Sequence, residues 1–121
     1  MKNKEVYDLY EGLYEIGQRR DLKFNIKLCY SLAKNKNTLE PLYNAIIETR
    51  QRFLSKYGSQ QEDGDGWTVA KDRMDDFLRE WNDFMNIDNF VALQHIKLEE
   101  LEDEEKLGVD LMGKLLPIID I

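Results

Sequence analysis

A single cysteine, a single histidine and only two prolines are spread over 121 residues. One cysteine excludes an internal disulfide, and a small secreted domain would usually carry pairs. Cys29 and His95 lie far apart in the chain without ligand-spaced neighbours, so a zinc site has no foundation. The same two residues could be written as nucleophile and base, but nothing around Cys29 resembles a nucleophile turn. The expectation is a small buried thiol on the apolar side of a helix and a structural or surface role for His95. Basic residues are outnumbered, 17 against 24, and the net charge is −7. Phosphate contact needs local positive charge, so direct nucleic-acid binding and an anionic membrane surface are disfavoured. No long apolar run occurs, and Met1 leads into Lys2, Asn3, Lys4 and Glu5. Neither export nor membrane crossing is expected, and a cytoplasmic setting is the default.

Apolar residues make up 42% of the chain and charged ones 34%, which fits a folded helical protein and is too apolar for disorder. Two Trp, six Tyr and five Phe supply large buried area per residue. One domain, residues 1–121, is expected, mainly α with minor β. Asn3 can cap a first helix over about 4–18, where Val6, Leu9, Tyr10, Leu13 and Ile16 recur at helical spacing, with Gly12 and Gly17 weakening it. Leu22, Phe24 and Ile26 alternate with polar residues, so a short two-stranded sheet is expected, about 22–26 with 90–97. A helix over about 26–36 would end at Asn35-Lys36-Asn37-Thr38. Thr38 would cap the next helix, with Pro41 in its first turn; a continuous kinked helix over 26–57 is the alternative.

Residues 39–85 read as a long antiparallel helical hairpin of coiled-coil character. Leu39, Tyr43, Ile46, Phe53 and Tyr57 form one seam and Ala70, Met74, Phe77, Trp81 and Phe84 the other. The polar, Gly-rich stretch 58–66 is the tip, and Thr68 caps the second arm with Trp67 beside it. Asp110 would cap a last short helix over 111–116, and the apolar tail Ile118, Ile119, Ile121 is expected to dock on the domain.

Chemistry is hard to place on this frame. Glu62-Asp63-Gly64-Asp65-Gly66 lacks the alternate oxygen ligands and closing Glu of a calcium loop, and no Lys-Ser or Lys-Thr follows to make a phosphate loop. Asp72, Asp75, Asp76, Glu80 and Asp83 read as a solvated helix face rather than a pair held across a cleft. No catalytic, cofactor-binding or metal-ligating residue is assigned, and no cofactor or enzymatic activity is expected. Candidate partner-binding residues are Arg50, Trp67, Asp103, Glu104 and Glu105. Arg50 interrupts the first seam. It can snorkel to Asp76 or Glu80, fix the register of the pair, or leave the seam open for a partner. Trp67 sits where an exposed anchor would be useful, and Asp103–Glu105 form an acidic patch.

Several segments taken in order carry a resemblance. They are Asn3-Lys4-Glu5-Val6-Tyr7-Asp8-Leu9-Tyr10, Lys27-Leu28-Cys29-Tyr30-Ser31-Leu32-Ala33-Lys34-Asn35, Leu39-Glu40-Pro41, Leu98-Glu99-Glu100-Leu101-Glu102 and Leu116-Pro117-Ile118-Ile119-Asp120. This order resembles a family of small uncharacterised proteins encoded by tailed phages and prophages of Gram-positive bacteria. The resemblance implies a phage-encoded protein made in the host cytoplasm and assigns no activity to any residue. Contact rather than catalysis is the expected product. The first reading is a protein that binds a host or phage protein, in concrete form an inhibitor of a host defence or replication factor. The second is a structural component or chaperone of the phage head or tail, which leaves a homo-oligomer open.

Overall fold

The computed structural model describes residues 1–60, 66–101 and 105–120. The chain is mainly helical with minor β structure. Helix α1 spans Asn3–Gln18, α2 Ile26–Tyr57, α3 Met74–Met85 and α4 Gly108–Leu115. Strands β1 (Gly58–Gln60) and β2 (Trp67–Val69) form an antiparallel ladder that closes the turn between α2 and α3. Strands β3 (Ile96–Lys97) and β4 (Ile119–Asp120) pair in parallel.

The expected sheet of 22–26 with 90–97 is therefore corrected. Residues 22–25 are extended but unladdered, and only Ile96 and Lys97 of the second segment pair, with Ile119 and Asp120. Val91 and Leu93 pack against the core, whereas Phe90 is fully exposed. The docked tail is observed: Ile118 and Ile119 are buried. Ile121 lies outside the described residues.

Helix α1 begins at Asn3 rather than being capped by it. The Glu5 carboxylate accepts from the Lys2 amide at 3.0 Å, which occupies one of the free donors of the first turn. The Asn3 side chain is thereby free for a longer-range contact. Its Nδ2 donates to the Phe84 carbonyl and its Oδ1 accepts from Asn89 Nδ2, both at 2.8 Å. These bonds tie the start of α1 to the end of α3.

Helix α2 is continuous through Pro41, so the alternative of an unbroken helix holds and the break at 35–38 does not. Each residue that suggested a break has a different use. Asn35 is buried and its amide faces the extended segment before β3: Nδ2 donates to the Gln94 carbonyl at 2.8 Å and Oδ1 accepts from the Gln94 amide at 2.6 Å. The Thr38 hydroxyl donates back to the Lys34 carbonyl at 3.0 Å, a bond compatible with the helix interior. Pro41 is exposed, where water can serve the carbonyl it leaves unpaired. Leu39 and Ile46, both buried, hold the two halves of the helix on one core.

That core is built from Val6, Leu9 and Leu13 of α1, Leu28, Leu32 and Leu39 of α2, and the C-terminal segment from Ile96 onward. Each such side chain contributes about 1.5–3 kcal/mol relative to exposure. Gly108, at φ +77°, turns the chain into α4, so α4 starts at Gly108 and Asp110 is not its cap. α3 starts at Met74 and not at Thr68, because Thr68 is committed to the ladder opposite Ser59.

At Gly12, α1 packs closely against α4. A Cβ there would stand 2.9 Å from Lys114 Cβ, whereas nothing lies within 4 Å of one at Gly17. Gly12→Ala is expected to destabilise the fold by about 1–3 kcal/mol through overpacking. Gly17→Ala is expected to stabilise it by about 0.5–1 kcal/mol through helix entropy. Urea unfolding midpoints of the two variants test the contrast directly.

Candidate functional site

Among the concave features beside α1, two are lined by aromatic residues carried on helices. The larger is a groove of about 620 Å³ between α1, α2, β2 and α3. Its floor comes from α3: Met74, Phe77, Leu78, Trp81 and Met85 line it, facing Leu54 of α2 and Val69 of β2, with Tyr7, Asp8 and Arg50 along the other wall. α3 is strongly amphipathic, yet none of its residues is fully buried, and Leu78 is 52% exposed. A helix with so marked an apolar face normally buries it.

The seam between α2 and α3 explains the shortfall. Rings reach across it edge-on: Phe53 meets Trp81 at 5.8 Å and Phe84 at 5.9 Å between centroids, and Tyr57 meets Phe77 at 6.0 Å. The expected hairpin seam is thus present, but it closes on one side of α3 only. At its outer edge the Tyr57 hydroxyl donates to Glu80, and Lys56 Nζ approaches the same carboxylate at 3.3 Å. The Tyr57 hydrogen bond is the main reason the Glu80 carboxyl is held below its ordinary pKa. Arg73 closes the end of α2 by donating to the Lys56 carbonyl at 3.2 Å.

Arg50 lines this groove, exposed. Among the described residues it makes no ion pair with Asp76 or Glu80, because Asp76 takes Arg79 at 2.9 Å and Glu80 takes Lys56. The snorkelling account is corrected on that ground. The side chain of Trp67, and Asp103 and Glu104 entirely, lie outside the described residues, as does the Glu105 side chain; the loop 61–65 does too. Of the five residues named from sequence, only Arg50 has a described side chain, and it lines the groove. What the sequence missed is that the seam residues Met74, Phe77 and Trp81 also line a groove, together with Leu78, which falls in neither seam.

The smaller feature is a cleft of about 360 Å³ lined by Tyr10, Glu11 and Tyr14 of α1 and Tyr43 of α2. Tyr43 stacks on Tyr10 at 4.2 Å and on Tyr7 at 5.4 Å, so the rings run as one stack from the groove to the cleft. The Tyr43 hydroxyl donates to Glu11 Oε1 at 3.0 Å. Burial first, and then this bond, push the Tyr43 hydroxyl up to about 12.

Elsewhere the residues singled out for chemistry are engaged separately. Cys29 is exposed rather than buried, and its Sγ donates to the Phe24 carbonyl at 3.7 Å. His95 Nδ1 stands 3.1 Å from Asp120 Oδ1, beside the β3–β4 ladder and exposed. Among the described residues no group of His, Cys, Asp or Glu is placed to hold a metal ion, and no helix is long and apolar enough to cross a membrane. No family model, no curated protein and no solved structure matches this chain.

The Tyr43 environment sets a pH window. An unfolded tyrosine ionises near about 10. A folded value of about 12 adds stability that is fully present below pH about 10 and is lost as pH rises from about 10 to about 12. Tyr43→Phe is expected to flatten the decline of the unfolding midpoint across that window relative to the native chain, read by urea titration at successive pH values. Equal slopes for the two proteins would contradict the assignment.

Proposed function

We propose that this protein acts by binding another protein through the groove between α1, α2 and α3, and that it is not an enzyme. The observation that carries the proposal is the apolar stripe of α3, which the chain itself leaves half-covered. Helix-lined grooves of this kind take amphipathic helices or apolar loops, read as anchors at three- and four-residue spacing. Arg50 and Asp8 on the opposite wall give the groove one charge of each sign, which would fix the orientation of whatever enters. On the resemblance to phage proteins, the partner is a host or phage protein met in the host cytoplasm, and the concrete form is an inhibitor of a host defence or replication factor.

A second reading follows from spacing on the same helix. Met74, Leu78, Trp81 and Met85 step by four, three and four residues, the seam of a coiled coil. A second copy of α3 would complete it, as in a structural component or assembly chaperone of a phage head or tail.

Leu78 is the residue to change, because its exposure makes it cheap for the fold. Leu78→Asp is expected to leave the helical circular dichroism unchanged. It should weaken capture of a partner from host or infected-cell lysate at least about tenfold, as loss of a central anchor does. Light scattering separates the two readings. A native monomer whose partner is lost in the variant supports the first; a native oligomer that Leu78→Asp reduces to monomers supports the second. A native monomer whose captured proteins are identical with and without Leu78 would rule out the groove.

A further inference from the structure

The cleft of Tyr10, Glu11, Tyr14 and Tyr43 has a composition the groove lacks, and it stands outside the proposal made for the groove. We infer that it is a binding site for an organic monocation, an alkylammonium or guanidinium group. Three phenol rings and one carboxylate line a cleft of about 360 Å³, at the small end of ligand pockets. Aromatic faces attract cations through their quadrupole and do so best where water is partly excluded. Glu11 is half-buried, and one of its oxygens is fixed by the Tyr43 hydroxyl at 3.0 Å. Among the described residues it has no ion-pair partner.

Neighbouring charges set the sign of the preferred ligand. Glu40, one turn before Tyr43 on α2, is close enough to act on Tyr10, whose hydroxyl is raised first by burial and then by that negative charge. An anion would meet Glu11 and Glu40, and a neutral molecule would leave the Glu11 charge unanswered. The molecule also uses this chemistry next door: Lys36 Nζ stands 5.1 Å from the centroid of the Tyr14 ring. Lys36 stands at that ring and makes no ion pair with Glu11, so among the described residues no cation meets the carboxylate. A cation seated in the cleft beside the Tyr10–Tyr43 stack would lie against tyrosine rings and the carboxylate together, which a bulk-water site would not offer.

The test uses the full chain and small cations. Methylguanidinium chloride, tetramethylammonium chloride and N-acetyl-arginine amide are titrated at constant ionic strength, with sodium chloride as baseline, while the tyrosine ring resonances are followed by NMR. Saturable shifts confined to Tyr10, Tyr14 and Tyr43 are expected. Glu11→Gln, which keeps an acceptor for Tyr43, should weaken binding about two- to fivefold, and Tyr14→Leu should do the same. Tighter binding of the arginine amide than of tetramethylammonium marks a protein side chain as the source, and the reverse order marks a free quaternary amine. The inference is overturned by shifts that track sodium chloride without saturating. Affinity unchanged by Glu11→Gln would also overturn it, as would binding seen only in Lys36→Met, which would make the cleft a seat for the chain's own lysine.

Discussion

One amide in the first third of the longest helix ties that helix to the segment leading into β3. Asn35 is buried to 1% exposure and meets both the amide and the carbonyl of Gln94. A buried amide left without partners costs about 1–3 kcal/mol, so this side chain is stable in the core only while residue 94 lies against it. The segment 87–95 is bridged to the N-terminus at Asp88, and beyond residue 89 it has no ladder before Ile96, so Asn35 gives that stretch a fixed position. That position places Ile96 and Lys97 to pair with Ile119 and Asp120, and so sets where α4 returns against Gly12 of α1. Asn3 does the equivalent work at the other end of the same segment, through Phe84 and Asn89.

The consequence is a molecule of two unlike parts. Around α1, the first half of α2 and α4 lie the buried residues Val6, Leu9, Leu13, Leu28, Leu32, Leu39, Leu111 and Leu115, and every buried side-chain polar atom among the described residues has a partner. Beyond Ile46 no residue of α2 is fully buried, and α3 has none. α3 is fastened at its end by Asn3 and through Trp81 and Phe77 by the rings of Phe53 and Tyr57, while its apolar face, with Met74, Leu78 and Met85, stays partly open to the groove. Stability resides in the first part and available binding surface in the second. A contact protein needs that division, since a face that stayed closed within the chain could not be offered to a partner.

Helix content and the aromatic seam were legible because they rest on local periodicity. α1 falls where Val6, Leu9 and Leu13 place it, and Phe53 and Trp81 meet as their spacing requires. What was not legible depends on contacts distant in sequence. Asn35, Thr38 and Pro41 look like a helix break because each disfavours a helix in isolation; a partner 59 residues away, a back-bond and an exposed face remove the penalty one by one. The parallel pair of β3 with β4 has no signal in two residues each. Cys29 looks buried because Ile26, Tyr30 and Ala33 share its side of the helix, but that side faces outward, with Ile26 and Tyr30 exposed, and Leu28 and Leu32 face the core instead. The candidate sites followed the same rule: tyrosine spacing on α1 was visible, but its meeting with Tyr43 was not.

Native-state hydrogen exchange at the Gln94 amide tests the central claim most directly. Gln94 lies in an exposed, unladdered stretch, so without the clamp its amide would exchange like that of a free loop. The account predicts protection approaching that of the core helices in the native chain, lost in Asn35→Ala under conditions where α1 stays protected. Fast exchange at Gln94 in the native protein would contradict it.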